Sequence, residues 1–210
     1  MRPRPVPAYL WLLLASLAAA MLWSGIGPKE RATWWLEVAP ILVGIPILAA
    51  TYRRFPLTPL AYVLICIHAV VLMIGGHYTY AGVPLFNWIR DAFGLARNHY
   101  DRVGHFAQGF VPAILAREIL LRASPLRPGG WLFFLVCCVC LAVSALYELI
   151  EWWAALATSP ETGTAFLGTQ GDVWDTQWDM FLALVGSVAA QLALSPFHQR
   201  QLDHMDRSSV

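Results

Sequence analysis

The sequence predicts an all-α, polytopic integral membrane protein with about six transmembrane helices. Hydrophobic residues make up 58% of the chain and charged residues 13%, and the mean hydropathy is +0.56. A water-soluble globule of this composition would lack the polar residues that cover a surface. The apolar residues fall in six separate segments, which indicates a single transmembrane domain over residues 1–210.

Each apolar segment is long enough, or nearly so, to cross a hydrocarbon core that needs about 20 helical residues. The second and fourth segments are the weakest, because they are short or carry polar residues. Pro40, Pro46 and Pro112 lie within spans, where neighbouring helices can satisfy the carbonyl group that each proline frees. The predicted spans are 9–26, 34–50, 57–75, 104–121, 131–157 and 177–194.

The distribution of Lys and Arg predicts the orientation. Five of the 14 basic residues fall on one side of the predicted spans, at Lys29, Arg31, Arg90, Arg97 and Arg102. The other nine fall on the opposite side, which is therefore cytoplasmic, at Arg2, Arg4, Arg53, Arg54, Arg117, Arg122, Arg127, Arg200 and Arg207. Both termini are then cytoplasmic, with a short tail at 195–210, and the loops 76–103 and 158–175 face outwards.

The first segment has two interpretations. Arg2 and Arg4 before an apolar stretch that reaches Ala18–Ala20 resemble a secretory signal peptide, which would leave a mature start near Met21. The apolar stretch continues past these alanines to Trp23, which favours a retained helix.

Isolated reactive side chains inside the spans are predicted to be structural. Cys66, Cys137, Cys138 and Cys140 all lie in apolar segments, where no second C-x-x-C pair or neighbouring histidine completes a zinc site. We expect them to pack at helix interfaces. His68, alone in the middle of a span, is predicted to be a hydrogen-bonded packing residue rather than a ligand.

The loop 76–103 is long for a plain connection, and long ordered loops are often functional. Trp88, Ile89, Ala92 and Phe93 recur in it at helical spacing, which predicts a short helix on the outer membrane surface. Such a helix could form a lid over the acidic helix ends.

Ten of the 13 acidic residues fall on the predicted outer side, most of them near three helix ends. The spacing places each group on one helix face, and all three faces lie at about the same depth, so we expect them to converge. The sixth helix must begin early for its group to share a face. The groups are Asp101, His105 and Gln108; Ser144, Glu148 and Glu151; and Asp172, Asp175 and Asp179.

Carboxylates gathered in one region repel one another unless cations offset them. Arg97, Arg102 and His77 are candidates for part of that role, and a divalent metal ion is the candidate for the rest. Magnesium, manganese, calcium and zinc all suit such ligands. The candidate metal ligands are Asp101, His105, Glu148, Glu151, Asp172, Asp175 and Asp179. The alternative is a set of interfacial residues in contact with water, with Asp172 or Asp175 capping the sixth helix.

Several long, unusual runs resemble the YjdF-like family of inner-membrane proteins, a domain-of-unknown-function family. The resemblance covers 77–186 and implies an inner-membrane location and a helical fold. It carries over no functional residues. The runs are His77-Tyr78-Thr79-Tyr80, residues 97–102, 104–106 and 108–112, Tyr147-Glu148, Glu151-Trp152, and residues 166–172 and 175–180.

A weaker similarity links part of the same set to VanZ-like membrane proteins, which are associated with glycopeptide-antibiotic tolerance. Asp101, His105, Glu148 and Asp179 belong to this pattern, whereas Ala183 stands where the pattern favours asparagine. The similarity implies a role that involves an envelope lipid.

Three functions fit these observations. The first is a reaction on a lipid or isoprenoid head group, in which a metal ion holds a phosphate and Glu148 or His105 is the general base. Arg97 or Arg102 would then neutralise charge in the transition state. The second is transport or sensing of a cation, for which the inner half offers no ionisable relay. The third is a structural assembly factor, since no nucleophile or nucleotide-binding motif is present.

The bilayer is the expected partner, and nucleic acid is excluded by the net charge of +1 and the lack of a basic stripe.

Overall fold

The computed structural model describes residues 6–207, so Arg2 and Arg4 of the charge comparison lie outside the described residues. Between these limits the chain is helical and contains no strand, which confirms the all-α prediction for this part. The elements are α1 (Ala8–Gly25), α2 (Arg31–Thr51), α3 (Pro59–Tyr78), a 3-10 turn (Tyr80–Gly82), α4 (Pro84–Phe93), α5 (Tyr100–Ala123), α6 (Gly130–Ala157), α7 (Pro160–Leu167) and α8 (Asp175–Arg207).

Five helices of the described chain, α1, α2, α3, α6 and α8, are long and apolar enough to cross a membrane. The remaining long helix, α5, has 24 residues and coincides with the fourth predicted span. It is more polar, because it carries charged side chains at both ends. Even so, α5 packs against α3, α6 and α8, and half of its residues are buried. It is therefore the central helix of the bundle.

Helices α5 and α8 approach each other closely through glycine. A Cβ atom at Gly109 would overlap the carbonyl group of Ala183, and one at Gly186 would overlap the carbonyl oxygen of Phe106. Glycine allows two helix backbones to come this near because it has no side chain. The contact fixes the rotation of α5 against α8, and with it the side chains that face each other along the pair.

Apolar packing forms two main clusters. One joins α3, α5, α6 and α8 around Leu64, Ile114 and Val136. The other joins α1, α2 and α3 and includes Leu17, Val38 and Met73. The first predicted segment thus forms a helix that packs within the bundle.

Some element boundaries differ from the prediction. Helix α5 begins at Tyr100 rather than at residue 104, and α8 continues to Arg207 through most of the segment assigned to a tail. Residues 208–210 lie outside the described part. His198 and Leu202 are buried within the extension of α8, because this part of the helix packs against the polar end of α5.

The two predicted outer loops both contain helices. The short helix predicted around Trp88 is confirmed as α4, and none of its residues is buried. Helix α7 was not predicted. Pro160 stands in its first turn, and the Ser159 side chain caps it by accepting a hydrogen bond from the Thr162 backbone N–H. Both features are local start signals for a helix.

Candidate functional site

Arg97, in the turn before α5, organises one end of the bundle. Its Nη2 atom lies 3.1 Å from Asp101 Oδ2, and its Nη1 atom lies 2.5 Å from Asp175 Oδ1. The guanidinium also donates hydrogen bonds to the carbonyl oxygens of Gly168 and Thr169, each at 3.2 Å. These carbonyls follow the C-terminal end of α7, where the helix dipole favours a cation. One buried arginine therefore joins the starts of α5 and α8 to the end of α7.

Arg102 forms a second bridge beside the first. Its Nη1 atom lies 2.5 Å from Asp179 Oδ1, and its Nη2 atom lies 2.8 Å from Asp172 Oδ2 and 2.9 Å from Asp175 Oδ1. Asp172 and Asp175 each contact both arginines. The two cations are thus committed to four carboxylates, and Asp172 contributes from the turn before α8, not from the helix.

Asn98 joins the segments before α4 and after α7 to the N-terminal end of α5. Its backbone N–H donates to Gln170 Oε1 at 2.9 Å, and the Gln170 amide donates back to the Asn98 carbonyl at 2.9 Å. The Asn98 side chain donates to the Val83 carbonyl and to Asn87 Oδ1. The run from Arg97 to Arg102 therefore holds α4, α7 and the start of α8 around the N-terminal end of α5.

The three predicted polar faces meet at His105. Its Nε2 atom lies 3.4 Å from Asp101 Oδ1 and 3.7 Å from Asp179 Oδ2, while its Nδ1 atom lies 3.7 Å from Glu148 Oε1. The side chain is buried, and neither Nδ1 nor Glu148 Oε1 has a hydrogen-bond partner. We call this group of residues the His105 cluster: Arg97, Asp101, Arg102, His105, Glu148, Asp172, Asp175 and Asp179.

Within the described residues, the group with the geometry of a metal site is Asp101, His105 and Asp179, all buried. Each offers one ligand atom, and these atoms lie within 4.8 Å of one another. Of the other predicted ligands, Glu148 faces the opposite ring nitrogen of His105. Asp172 and Asp175 contact the arginines, and Glu151 lines a cavity that adjoins His105.

A cavity of about 150 Å³ adjoins His105 between α2, α3, α5 and α6. Its titratable lining residues are Glu37, His68, Asp101, His105 and Glu151, and Tyr80, Gln108 and Tyr147 add further polar groups. Its apolar lining residues are Pro40, Leu72, Pro112, Val143 and Phe166. Helix prolines at residues 40 and 112 cannot donate backbone hydrogen bonds, so two carbonyl groups are freed near the cavity.

Tyr80 lines this cavity. A Cβ atom at Gly75 or at Gly104 would overlap the Tyr80 ring, so the two glycines provide the slot in which the ring lies. Burial raises the pKa of the Tyr80 hydroxyl well above its usual value, and the neighbouring Glu37 carboxyl raises it further. The hydroxyl is therefore kept protonated, as a hydrogen-bond donor.

Glu37 and Glu151 differ from the aspartates of the His105 cluster. Both are buried, at 3% and 6% exposure, and both line the cavity. In the described chain neither forms an ion pair, although every acidic residue of the His105 cluster does so with an arginine or lies near His105. Among the described residues, no arginine or lysine lines the cavity beside these two carboxyl groups.

Several predictions about single residues need correction. His68 Nε2 is buried without a hydrogen-bond partner and His68 lines the cavity, so it is not a satisfied packing residue. His77 does not offset the carboxylates, because its Nδ1 atom lies 3.0 Å from the Ser24 carbonyl and its ring stacks on Trp23. Tyr80 and Phe166 line the cavity, whereas no residue of α4 is among its lining residues; the lid over the acidic helix ends stays a prediction.

Sequence reasoning also missed Glu37, Tyr80 and Tyr147 as cavity residues. Glu37 gave a usable signal, since an acidic residue inside an apolar span is costly and therefore suspect. Tyr80 and Tyr147 gave none, because tyrosines are common near membrane interfaces. The predicted packing of the cysteines agrees with the structure at three positions: Cys66, Cys137 and Cys140 are buried and free, whereas Cys138 is exposed.

A second buried polar group lies at the other end of α5. Glu118 accepts hydrogen bonds from the Thr58 backbone and hydroxyl and from Arg122, at 2.7–3.2 Å. His198 Nε2 lies 3.0 Å from Glu118 Oε2, and His198 Nδ1 lies 3.0 Å from Arg117 Nη1. Since arginine can only donate, Nδ1 accepts and Nε2 carries the proton that goes to Glu118.

We call Thr58, Arg117, Glu118, Arg122 and His198 the Glu118 cluster. Its central side chains, Glu118 and His198, are fully buried. Arg117 and Arg122 were predicted only as flanking charges. The structure places them beside the buried residues Glu118 and His198, because α8 extends far enough to bring His198 against α5.

Fold and site together define a multi-pass membrane protein whose buried polar residues form two clusters at opposite ends of its central helix. The chain belongs to the family described as "Predicted membrane protein (DUF2238)", whose model matches residues 9–200. It is also 52% identical over 187 residues to the inner membrane protein YjdF of Escherichia coli (strain K12), with 89% of each chain covered. These matches confirm the YjdF-like resemblance and the multi-pass inner-membrane location. No solved structure matches the chain.

Proposed function

We propose that this inner-membrane protein holds a divalent cation at Asp101, His105 and Asp179 and uses it, on the outer side of the membrane, to act on the phosphate-bearing head group of an envelope lipid or isoprenoid. The observation that carries the proposal is that each of two carboxylates contacts an arginine with one oxygen and faces His105 with the other. Asp101 gives Oδ2 to Arg97 and turns Oδ1 towards His105, and Asp179 gives Oδ1 to Arg102 and turns Oδ2 towards His105. In metal sites, such outer partners orient the ligands.

The distances suit an ion after small movements. Ligands about 2.1 Å from a metal lie about 3 Å apart when adjacent, and the two carboxylate oxygens lie 3.4 and 3.7 Å from His105 Nε2. Glu148 faces the other ring nitrogen, where it would accept the Nδ1 proton and leave Nε2 free to bind. A carboxylate in that position is the usual outer partner of a metal-binding histidine. We therefore assign Glu148 to orienting His105, with general-base catalysis as its further candidate role.

The other predicted site residues take supporting roles in this proposal. Arg97 and Arg102 are buried and paired, so they orient carboxylates and do not contact substrate. Asp172 and Asp175 hold the arginines in turn.

A bound divalent ion would polarise a phosphoryl oxygen. A cavity of about 150 Å³ holds a molecule of about the size of benzene, so a head group could enter it but an isoprenoid chain could not. The VanZ-like similarity stays a prediction that agrees with this assignment.

Metal analysis of the purified protein tests the site. We expect elemental analysis to find a divalent metal, and added magnesium, manganese or zinc to stabilise the stripped protein by about 2.7 kcal/mol at 100 times the dissociation constant. Asp179→Asn and His105→Ala should abolish the stabilisation. Glu161→Gln, which changes an exposed carboxyl on α7, should retain it. If the purified protein contains no metal and no added divalent ion stabilises it, the proposal is wrong.

The proposed location on the outer side requires a particular topology. We place both termini in the cytoplasm, with six spans that include α5, because α5 has 24 residues and packs against α3, α6 and α8. Reporter fusions at the C-terminus should then report cytoplasm, and fusions after Pro160 should report the periplasm. A periplasmic C-terminus would show that the span count is wrong.

Cation transport or sensing is the second candidate. The Glu118 cluster favours it, because it supplies buried ionisable residues in the half of the bundle where the sequence analysis expected none. We rank it second because the charged atoms of that cluster are occupied by one another. Cation flux in liposomes that contain the protein would favour transport over catalysis. A protein with neither flux nor bound metal would fit an assembly factor.

A further inference from the structure

We propose that the cavity beside His105 binds a short alkylammonium group, held by two buried carboxyl groups and enclosed by aromatic rings. The carboxyl groups belong to Glu37 and Glu151, and the rings to Tyr80, Tyr147 and Phe166. This inference deepens the proposed function by naming the substrate class as an aminated head group, and it rests on that function only for what happens after binding.

The charge of the lining selects a cation. Glu37 and Glu151 line the cavity without an ion-pair partner among the described residues, and no arginine or lysine is among its lining residues. His105 also lines it, but this ring lies against Asp101, Asp179 and Glu148. A buried carboxylate without a cation nearby is costly. An ammonium group supplies the missing charge together with donors for several carboxyl oxygens.

Unpartnered polar atoms point to a ligand independently of the charge. His68 Nε2 and Tyr147 Oη, on two residues that line the cavity, are buried atoms without a hydrogen-bond partner. Buried polar atoms are normally satisfied, so two such atoms beside one cavity point to a polar group bound there.

Shape and aromatic content favour an organic cation over a hydrated metal ion. Aromatic faces attract ammonium groups, and cages of aromatic and acidic residues are the known sites for them. The lining also includes the apolar residues Leu72 and Val143, which suit the methylene groups of a short chain better than the water ligands of a hydrated ion. A volume of about 150 Å³ accommodates such a group, since it is the size that holds benzene.

The test is a binding titration with ethanolammonium on the full chain in phosphatidylglycerol nanodiscs. We expect saturable binding, competition by other short alkylammonium ions, and none by the uncharged analogue 1,2-ethanediol. Glu37→Gln and Glu151→Gln should each weaken binding about tenfold or more, since each removes a charged hydrogen-bond acceptor. Glu161→Gln is the matched control and should bind like the wild type.

The wild-type ligand series does not depend on any variant folding correctly. Equal binding of 1,2-ethanediol, equal competition by sodium, or unchanged affinity in both glutamine variants would overturn the inference. The source of the group is read from the bilayer. If phosphatidylethanolamine in the nanodisc blocks ethanolammonium, the ligand is a lipid head group, and if it does not block, the ligand is a soluble amine.

Asp179→Asn separates this inference from the proposed function. Asp179 is a candidate metal ligand but does not line the cavity, so its variant should lose metal stabilisation and keep ethanolammonium binding. Glu37→Gln should show the reverse. If the wild type binds ethanolammonium but no divalent metal, the proposed function is wrong and the ammonium site still stands.

Discussion

The two buried polar clusters on α5 use similar residues but differ in how completely those residues are satisfied. In the described chain, seven buried side-chain atoms lack a hydrogen-bond partner, and none of them belongs to the Glu118 cluster. Three belong to the His105 cluster, on Arg97, His105 and Glu148, and three more to His68, Ser144 and Tyr147 nearby. The comparison shows how a structural network differs from a candidate site. The polar atoms of the first satisfy one another, whereas the second has unpartnered polar atoms and a cavity beside them.

The difference follows from what each carboxylate contacts. All partners of Glu118 are donors that the fold itself provides, so its two oxygens are saturated. Asp101 and Asp179 each use one oxygen for an arginine and leave the other near His105. An unsatisfied buried group costs about 1–3 kcal/mol. A fold that keeps several of them in one place is expected to gain something there in function.

The largest expected effect tests the closed cluster. Glu118→Gln places an amide NH₂ group against partners that are all donors, so we expect a loss of about 3–5 kcal/mol, as when a buried ion pair is broken. Thermal unfolding in detergent measures it. Asp206→Asn, on an exposed residue of the same half, should be near neutral. If Glu118→Gln melts like the wild type, the cluster is not structural.

The next effect tests the contact that joins the two clusters. Gly109→Ala and Gly186→Ala each place a methyl group against backbone of the facing helix, and overpacking of this kind costs about 1–3 kcal/mol. Gly44→Ala is the control, because a Cβ at this helical glycine meets no neighbouring atom, and it should be neutral or slightly stabilising. Equal melting of all three variants would contradict the close approach of α5 and α8.

An effect of about 1 kcal/mol is expected from the exposed cap of α2. The Glu30 side chain accepts hydrogen bonds from the backbone N–H groups of Ala32 and Thr33. Slight burial raises the pKa of the Glu30 carboxyl, but these hydrogen bonds outweigh it and hold the pKa below its usual value. The stabilisation is therefore present above the unfolded-state pKa and is lost as pH falls through the lower folded-state pKa. Glu30→Ala should remove that acid-side loss from a series of melting curves, and an unchanged pH profile would rule the cap out.

The smallest effect is expected at the open cavity. Glu37→Gln removes a buried carboxyl group that has no ion-pair partner among the described residues, so the ligand-free protein should change by less than about 1 kcal/mol and could become more stable. The same substitution at Glu118 is the matched comparison. Two equal losses would erase the distinction between the clusters.

Local sequence features predicted the parts of the molecule that depend on local energetics. Five of the six apolar segments lie in helices that can cross a membrane, because burial in lipid acts on each segment separately. The spacing of Asp101 and His105 placed them on one face of α5, since helix periodicity fixes neighbours three and four residues apart. The spacing of Trp88 and Phe93 predicted α4 for the same reason.

Only the tertiary structure decided how these faces combine. The rotation of α5 against α8 depends on backbone contacts at Gly109 and Gly186, and it determines that His105 lies between Asp101, Glu148 and Asp179. Glu37 enters the cavity because α2 packs nearby, and His198 meets Glu118 because α8 runs on past Pro196. The sequence by itself thus determined the helices and their polar faces. Which residues share a site was set by contacts between chain segments far apart in sequence, and helical periodicity carries no information about those contacts.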